Sequence, residues 1–206
     1  MRVNDSKTKL MCISAANSFE VKARLKDRHG SPIESVDSFK VLGVTLQCNG
    51  KFDQHVNNIA KKMRSRTWAL RVLRKKGMTE RDLVTVYKSM IRPLVEYAIP
   101  AWHSSITQVQ ADKLEAQQTL ALKNIFGVGM SAWRLRNKAG LPLLEKRRTE
   151  ICLKFAQKCL TSDRFSHWFE PRPREDRPRR NSVNYNLFTE DKSRTERMKN
   201  SPKNYC

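Results

Sequence analysis

Carboxylate, histidine and cysteine side chains are the groups in this sequence that could do chemistry. A two-metal phosphoryl-transfer site needs carboxylates close together to hold divalent ions, and the chain has no Asp-Asp pair. Adjacent acids occur at Glu175–Asp176 and Glu190–Asp191, in stretches too polar to form a shaped pocket. No glycine-rich phosphate loop is present. The residues therefore predict no catalytic site and no site for a small-molecule substrate.

Cysteine and histidine spacing predicts neither a metal site nor a nucleophile. Cys152, Cys159 and His167 lie near one another, but the C-x-x-C spacing of zinc sites is absent. On a helix, Cys152 and Cys159 are more simply packing residues, because a free cysteine behaves as a small hydrophobe. The five cysteines are odd in number and widely spaced, which favours a reducing compartment over a disulfide framework. We expect no metal and no cofactor in this chain.

Charge is the stronger signal. The 41 Lys and Arg residues against 20 Asp and Glu give a formal net charge of +21. An excess this one-sided attracts polyanions, so nucleic acid is the expected partner. The alternative is a solvated surface without a partner, although such surfaces usually mix both signs. The densest basic run has no acid between Asp53 and Glu80, and it contains Lys61, Lys62, Arg64, Arg66, Arg71, Arg74, Lys75 and Lys76.

A helix is predicted to carry that basic run on one face. Asp53 can cap its start, and Gly77 is well placed to end it. Like charges one turn apart repel each other, so an all-basic face indicates a polyanion opposite it. The packing face follows spacings of three and four residues. It consists of Val56, Ile59, Ala60, Met63, Thr67 and Leu70.

Two more helices are predicted in the middle of the chain. The first begins at Thr79, with Asp82 in a capping-box position. Pro93 should kink or break it, and Pro100 should end it. The next spans roughly 108–126 and is closed by Gly127 or Gly129. The predicted packing residues of these two helices are Leu83, Val86, Tyr87, Met90, Ile91, Leu94 and Ala98, then Leu114, Ala121 and Ile125.

A last helix is predicted after Pro142. Its first turn carries three cations, Lys146, Arg147 and Arg148, which oppose the helix dipole and hint at an anion outside the chain. Its expected packing side is Leu144, Ile151, Phe155 and Cys159.

The N-terminal part reads as short strands and turns. A strand is predicted over 39–47, where Gly43 allows a bulge or a close backbone approach, and Asn49-Gly50 predicts a tight turn. The fold class is α+β, mainly α, with an N-terminal strand hairpin, a helical bundle and a disordered tail. The predicted domains are a β segment at 1–52, a helical bundle at 53–130, a helical extension at 131–169 and a disordered basic tail at 170–206.

Membrane insertion and secretion are not predicted. No apolar run is long enough to cross a bilayer, and the first residues lack the apolar segment of a signal peptide. We expect a soluble, intracellular protein with no membrane partner, in the nucleus or the cytoplasm. The sequence predicts no particular oligomeric state.

Five short motifs occur in the order found in one protein family. They are NDSKTKLM at 4–11, FKVLGVTLQCNGKFDQHV at 39–56, YKSMIRPLVEYAIPAW at 87–102, LEAQQTLALKNIFG at 114–127 and GLPLLEKRR at 140–148. Together they resemble the C-terminal part of a LINE-type, non-LTR retrotransposon reverse transcriptase, an RNA-directed DNA polymerase. The resemblance covers roughly residues 1–160.

The resemblance implies a role for each part of the chain. The hairpin at Leu42, Gly43 and Val44 would correspond to the primer grip beside the palm, and the helices after it to the thumb. The implied partner is an RNA–DNA hybrid or duplex DNA, with the eight basic residues of the first helix on its phosphates. The family's catalytic Asp motifs precede the segment that contains Lys7, so Mg²⁺ is implied for the complete polymerase alone. We therefore expect no polymerase activity in this chain.

The sequence is compatible with three functions. The chain can be the template–primer-binding part of such a polymerase. It can be a stand-alone basic helical module that binds nucleic acid. It can also be a protein-interaction relic, because strands left without their sheet tend to pair with other chains. The acid-free basic helix favours the first two.

Overall fold

The computed structural model describes residues 7–13, 25–27 and 29–165. The chain divides into two compact units, Met1–Asn58 and Ile59–Cys206. In the described part the order is two strands and then helices, as the α+β, mainly α prediction requires. The predicted disordered tail at 170–206 lies outside the described residues.

A two-stranded antiparallel hairpin is the main feature of the first unit. Strand β1, Ser38–Val41, pairs with strand β2, Val44–Gln47, in a register that sets Val41 opposite Val44. Leu42 and Gly43 both have positive φ, 45° and 90°, which makes a two-residue turn of the primed type. The prediction of one strand over 39–47 is therefore wrong, because Gly43 serves a reversal of the chain and not a bulge. The predicted hairpin in this segment is confirmed.

The segment after the hairpin leads into the first helix. Gly50 donates to the carbonyl of Gln47 at 2.8 Å, which confirms the predicted turn at Asn49-Gly50. The side chain of Gln47 accepts from the backbone N–H of Gln54 at 2.9 Å, so it satisfies a free donor of the first helical turn. Asp53 was predicted to cap this helix, but it is the first helical residue.

Helix α1 runs over Asp53–Lys75. Its predicted packing face is confirmed, because all six of its residues are at most 5% exposed. The helix ends at Gly77, whose φ is 87°. The amide of Gly77 donates to Arg74 O and that of Met78 to Leu73 O, the paired bonds of a Schellman motif. The predicted C-terminal glycine is confirmed.

The second predicted helix is divided into four pieces. Helix α2, Glu80–Val86, begins at the Thr79 cap and continues as a π-helical segment, Tyr87–Ile91, into helix α3, Arg92–Glu96. Ala98 then adopts φ 50°, and helix α4, Ile99–Trp102, starts with Pro100 in its first turn. A 3₁₀ turn, His103–Ser105, follows.

The four-residue spacing of the buried side chains explains the π-helical segment. Residues 83, 87, 91 and 95 are buried, and the wider π turn keeps such a spacing on one side of the helix. The predicted break at Pro93 does not occur, because this proline lies in the first turn of α3 and the helical backbone continues to Glu96. Pro100 does not end it: the helix stops at Glu96, and proline is favoured in the first turn of a new one. Met90, predicted to pack inward, is 49% exposed.

Helix α5, Gln108–Phe126, is the element around which the second unit packs. It contacts α2 and the two C-terminal helices. Thr107 and Gln110 form a capping box at its start, and Gly127 ends it. The predicted span is confirmed, as are the buried positions of Leu114, Ala121 and Ile125. Helix α6, Ala132–Ala139, lies between the Ser131 cap and Gly140 and was not predicted.

Helix α7, Leu144–Leu160, packs on α4 and α5 with a face that only partly matches the predicted one, because Leu144 and Cys159 are buried as predicted and Ile151 and Phe155 are not. Phe155 is 39% exposed and Ile151 is only partly buried, whereas Arg148 is 2% exposed. Arg147 pairs with Glu96 at 2.7 Å. The suggestion of an outside anion is therefore wrong for both arginines, because one is buried and the other is neutralised within the bundle. The buried face consists of Leu144, Arg148, Cys152, Ala156 and Cys159.

A partly buried polar network joins three of the five motifs. Tyr87 donates to Gln118 Oε1 at 2.7 Å, and Gln118 Nε2 donates to Glu115 Oε1 at 3.2 Å. Glu115 Oε2 accepts from the amide of Leu144 at 2.8 Å, and Arg136 lies 3.4 Å from the other carboxylate oxygen. Glu115 thus satisfies the start of α7, where the N-cap residue gives no side-chain bond.

His103 gives this unit a pH-dependent stability. Burial, and secondly the charge of Arg148, lowers its pKa from 6.5 to about 4. Arg148 Nε donates to its Nδ1 at 3.4 Å, an arrangement that suits the neutral imidazole. Between pH 6.5 and 4 the unfolded chain binds a proton here that the folded chain does not, so stability falls as the pH falls.

We expect the protein to lose about 1 to 2 kcal/mol of unfolding free energy through His103 between pH 7.5 and pH 5. Urea denaturation of the wild type and of His103→Gln at both pH values measures this, because glutamine does not titrate. The variant should lose less stability than the wild type by that amount. An equal loss in both proteins would contradict the assignment.

Candidate nucleic-acid interface

The eight basic residues of the α1 region are all exposed, but two of them donate hydrogen bonds to backbone carbonyls of neighbouring segments. Arg66 Nη1 donates to the backbone carbonyl of Met90, and Arg74 Nη1 donates to that of Asn124 at 3.3 Å. Arg74 lies on the packing side of the helical projection, and Arg66 lies at the border of that side. They attach α1 to neighbouring segments, so their removal would alter the fold as well as the charge.

Four other cations form what we call the outer face of α1. At about 100° per residue, Lys61, Arg64, Arg71 and Lys75 fall within about 60° of Trp68. Trp68 lies about 130° from the centre of the packing face, and Arg71 is the nearest of the four cations to that face, at about 70°. No acid is present in the sequence from Lys61 to Lys75. The four positions extend over about 21 Å of helix axis. A polyanion lying along this face would meet a cation at nearly every turn.

A groove of about 470 Å³ continues this charge to the end of α5. Arg71, Arg74 and Lys75 line one side, and Lys123 lies on the other. No acid contributes to its lining, and Val128 at its rim is 87% exposed. The groove therefore offers a second concentration of positive charge next to the outer face.

The predicted hairpin residues lie at the tip of the first unit's sheet. Leu42 is 86% exposed and Val41 is 43% exposed, whereas Val44 is 7% exposed. Leu42 has φ 45°, a left-handed conformation that costs roughly 1–2 kcal/mol for a residue with a Cβ atom. An exposed, strained leucine contributes little to folding, and strain of this kind concentrates at functional sites. The predicted contact of Leu42, Gly43 and Val44 with nucleic acid stays a prediction.

We expect Leu42→Asn to stabilise the hairpin by about 1 kcal/mol, because asparagine adopts positive φ more readily than leucine. Hydrogen exchange of the β1 and β2 amides should slow about fivefold. Leu42→Ala is the control, since it shortens the side chain and keeps the backbone strain. Equal exchange rates in the two variants would show that the turn is not strained.

The described residues contain no metal-binding cluster and no helix suited to crossing a membrane. No cluster of three or more His, Cys, Asp or Glu side chains there is arranged to hold a metal ion. Cys152 and Cys159 are buried at 1% and 2% exposure, as their interpretation as packing residues requires. His167 lies outside the described residues. Within the same part of the chain, each helix is too short or too polar for a membrane span.

Two residues of the candidate interface were missed from the sequence. Trp68 lies four residues after Arg64 and three before Arg71, the spacing of one helical face, so the helical pattern could have identified it. Lys123 had no such signal, because its proximity to Arg71 and Lys75 depends on the packing of α1 near the end of α5.

Comparison with known proteins gives one informative similarity. The chain is 28% identical over 161 residues to a 115 kDa protein in the type-1 retrotransposable element R1DM of Drosophila melanogaster. The match covers 76% of this chain and 16% of that protein, so the chain spans less than a fifth of its relative. No protein-family model and no solved structure matches the chain. The similarity supports a retrotransposon-related origin.

Proposed function

We propose that this chain is the template–primer-binding part of a non-LTR retrotransposon reverse transcriptase. The outer face of α1 carries the proposal, because four exposed cations without an acid between them suit a phosphate backbone. The five ordered motifs and the similarity to a retrotransposable-element protein support the same function. In this role α1 and the helices after it act as the thumb.

The proposed mechanism is binding without chemistry in this chain. Lys61, Arg64, Arg71 and Lys75 would neutralise successive phosphates and release counterions from them. Such contacts hold the backbone and carry no base code, so the binding should be insensitive to sequence. The hairpin tip at Leu42 and Gly43 would contact the primer end, where the absence of a Cβ at Gly43 permits a close approach.

We expect salt-sensitive binding to a fluorescently labelled RNA–DNA hybrid and to duplex DNA. Four phosphate contacts predict about a hundredfold weaker binding at 200 mM than at 50 mM salt. Fluorescence anisotropy with the purified chain at both salt concentrations measures this. If a folded sample, verified by circular dichroism, bound neither probe at 50 mM salt, the proposed function would be wrong.

A protein-interaction function is the second candidate. It is favoured by the apolar hairpin surface, where Phe39, Val41 and Leu42 are 38%, 43% and 86% exposed. A small sheet that exposes apolar side chains can pair with another chain along the edge of a strand. Under this alternative, changes at the hairpin would alter self-association, and changes on the outer face of α1 would leave it unaltered.

A further inference from the structure

Trp68 is an exposed indole in the middle of the outer face. Its side chain is 64% exposed, although tryptophan is among the residues that gain most from burial. It belongs to α1, whose packing residues lie on the opposite side and are buried without it. Trp68 therefore contributes little to the fold of this unit and is available to a partner outside it.

The neighbours of Trp68 indicate the chemistry of that partner. Arg64 and Lys61 lie one and two turns before it, and Arg71 and Lys75 lie one and two turns after it. All four are exposed. A partner that covers the indole must also accept four positive charges, which an apolar protein surface would not do.

A second exposed tryptophan provides a comparison. Trp133 on α6 is also 64% exposed. Its surroundings differ, because the nearby Arg136 lies 3.4 Å from Glu115 and Lys138 lies 2.8 Å from Glu80. Cations that are paired within the protein offer less to an anionic partner. Trp133 thus matches Trp68 in exposure, but the cations Arg136 and Lys138 near it are paired with acids.

We propose that Trp68 is a base-stacking platform, and that the outer face of α1, besides contacting duplex phosphates, takes a single-stranded segment adjoining the duplex. This inference rests on the proposed function and specifies which form of nucleic acid contacts Trp68. Aromatic side chains stack on single-stranded bases between cations that follow the backbone. In an uninterrupted duplex the faces of internal bases are already stacked, so the indole would have no base face to use. A length of about 21 Å corresponds to about six nucleotides at the duplex spacing of about 3.4 Å per nucleotide, and to fewer in an extended single strand.

Three labelled DNA probes of matched charge test the inference. One is a duplex with a six-thymidine overhang, the second has six abasic units in place of the thymidines, and the third is a longer blunt duplex with the same number of phosphates. Trp68→Ala in the full chain should weaken binding to the thymidine overhang about tenfold. It should change binding to the other two probes less than about twofold. Trp133→Ala should change none of the three affinities.

A fluorescence measurement gives an independent readout. Stacking on a base should quench Trp68 emission, so oligothymidine should quench the wild type more than Trp68→Phe. Phenylalanine keeps an apolar ring and a helical residue at this exposed position, so the variant should fold as the wild type does. Equal quenching in the two proteins would overturn the inference.

The variants also separate this inference from the proposed function. If Trp68→Ala bound all three probes like the wild type, or weakened all three equally, base stacking would be wrong. A partner protein with an acidic surface would then be the better explanation of the exposed indole. Replacement of the four outer-face cations should weaken binding to every probe. If it weakened none, the proposed function itself would fail.

Discussion

Replacing Lys61, Arg64, Arg71 and Lys75 together by alanine should weaken duplex binding about a hundredfold at 100 mM salt. These four residues are exposed, and none of them belongs to the packing face of α1. Their removal should delete the proposed phosphate contacts and leave the bundle intact. The loss should be similar for duplexes of unrelated sequence, since phosphate contacts carry no base code. Fluorescence anisotropy with two unrelated duplexes measures both expectations.

A second fourfold variant controls for net charge. Arg134, Lys146, Lys154 and Lys158 are exposed and belong to α6 and α7. Their replacement by alanine lowers the formal charge of +21 by the same amount. We expect less than a tenfold loss of affinity from it, because long-range attraction is screened within about 10 Å at this salt concentration. Equal losses in the two variants would show that binding depends on net charge and not on the outer face.

Trp102→Ala should lower the free energy of unfolding by about 4 kcal/mol. Trp102 is completely buried, and its indole N–H donates to the carbonyl of Tyr97 at 3.0 Å. It lies in α4, which packs on α7, so the substitution leaves a large cavity beside the last helix. Folded domains are stable by only about 5–15 kcal/mol, so this change removes a large share of the total. Urea denaturation followed by far-ultraviolet circular dichroism measures it.

Trp133→Ala is the matched control for Trp102. The side chain of Trp133 is 64% exposed, so its loss should change stability by less than about 0.5 kcal/mol. If both tryptophan variants were destabilised equally, the packing of α4 within the bundle would be wrong.

Strong local signals made the longest helices predictable. α1 and α5 have regular apolar spacing and end at Gly77 and Gly127, so their packing faces and C-terminal ends followed from the sequence. α6 has eight residues and was missed, because Ser131 and Gly140 are modest signals without a long periodic segment between them. Periodicity identifies a helix with confidence only when several turns repeat it.

Tertiary packing explains the remaining differences. The middle of the α7 face was missed because its buried series includes Arg148, a charged residue that a pattern of apolar residues excludes. Tertiary packing also decides which cations belong to the candidate interface. Arg66 and Arg74 have the same residue type as Arg64 and Arg71, and only the carbonyls of Met90 and Asn124 distinguish them. A sequence shows which cations a helix carries, but its packing determines which of them are available to a ligand.

The salt dependence of duplex binding tests the central claim most directly. The logarithm of the binding constant is measured against the logarithm of salt concentration for the wild type and the two fourfold variants. Each lost phosphate contact should reduce the slope by about 0.9. We predict a reduction of about 3.6 for the outer-face variant and little change for the control variant. Identical slopes in the wild type and the outer-face variant would contradict the assignment of α1 as the nucleic-acid interface.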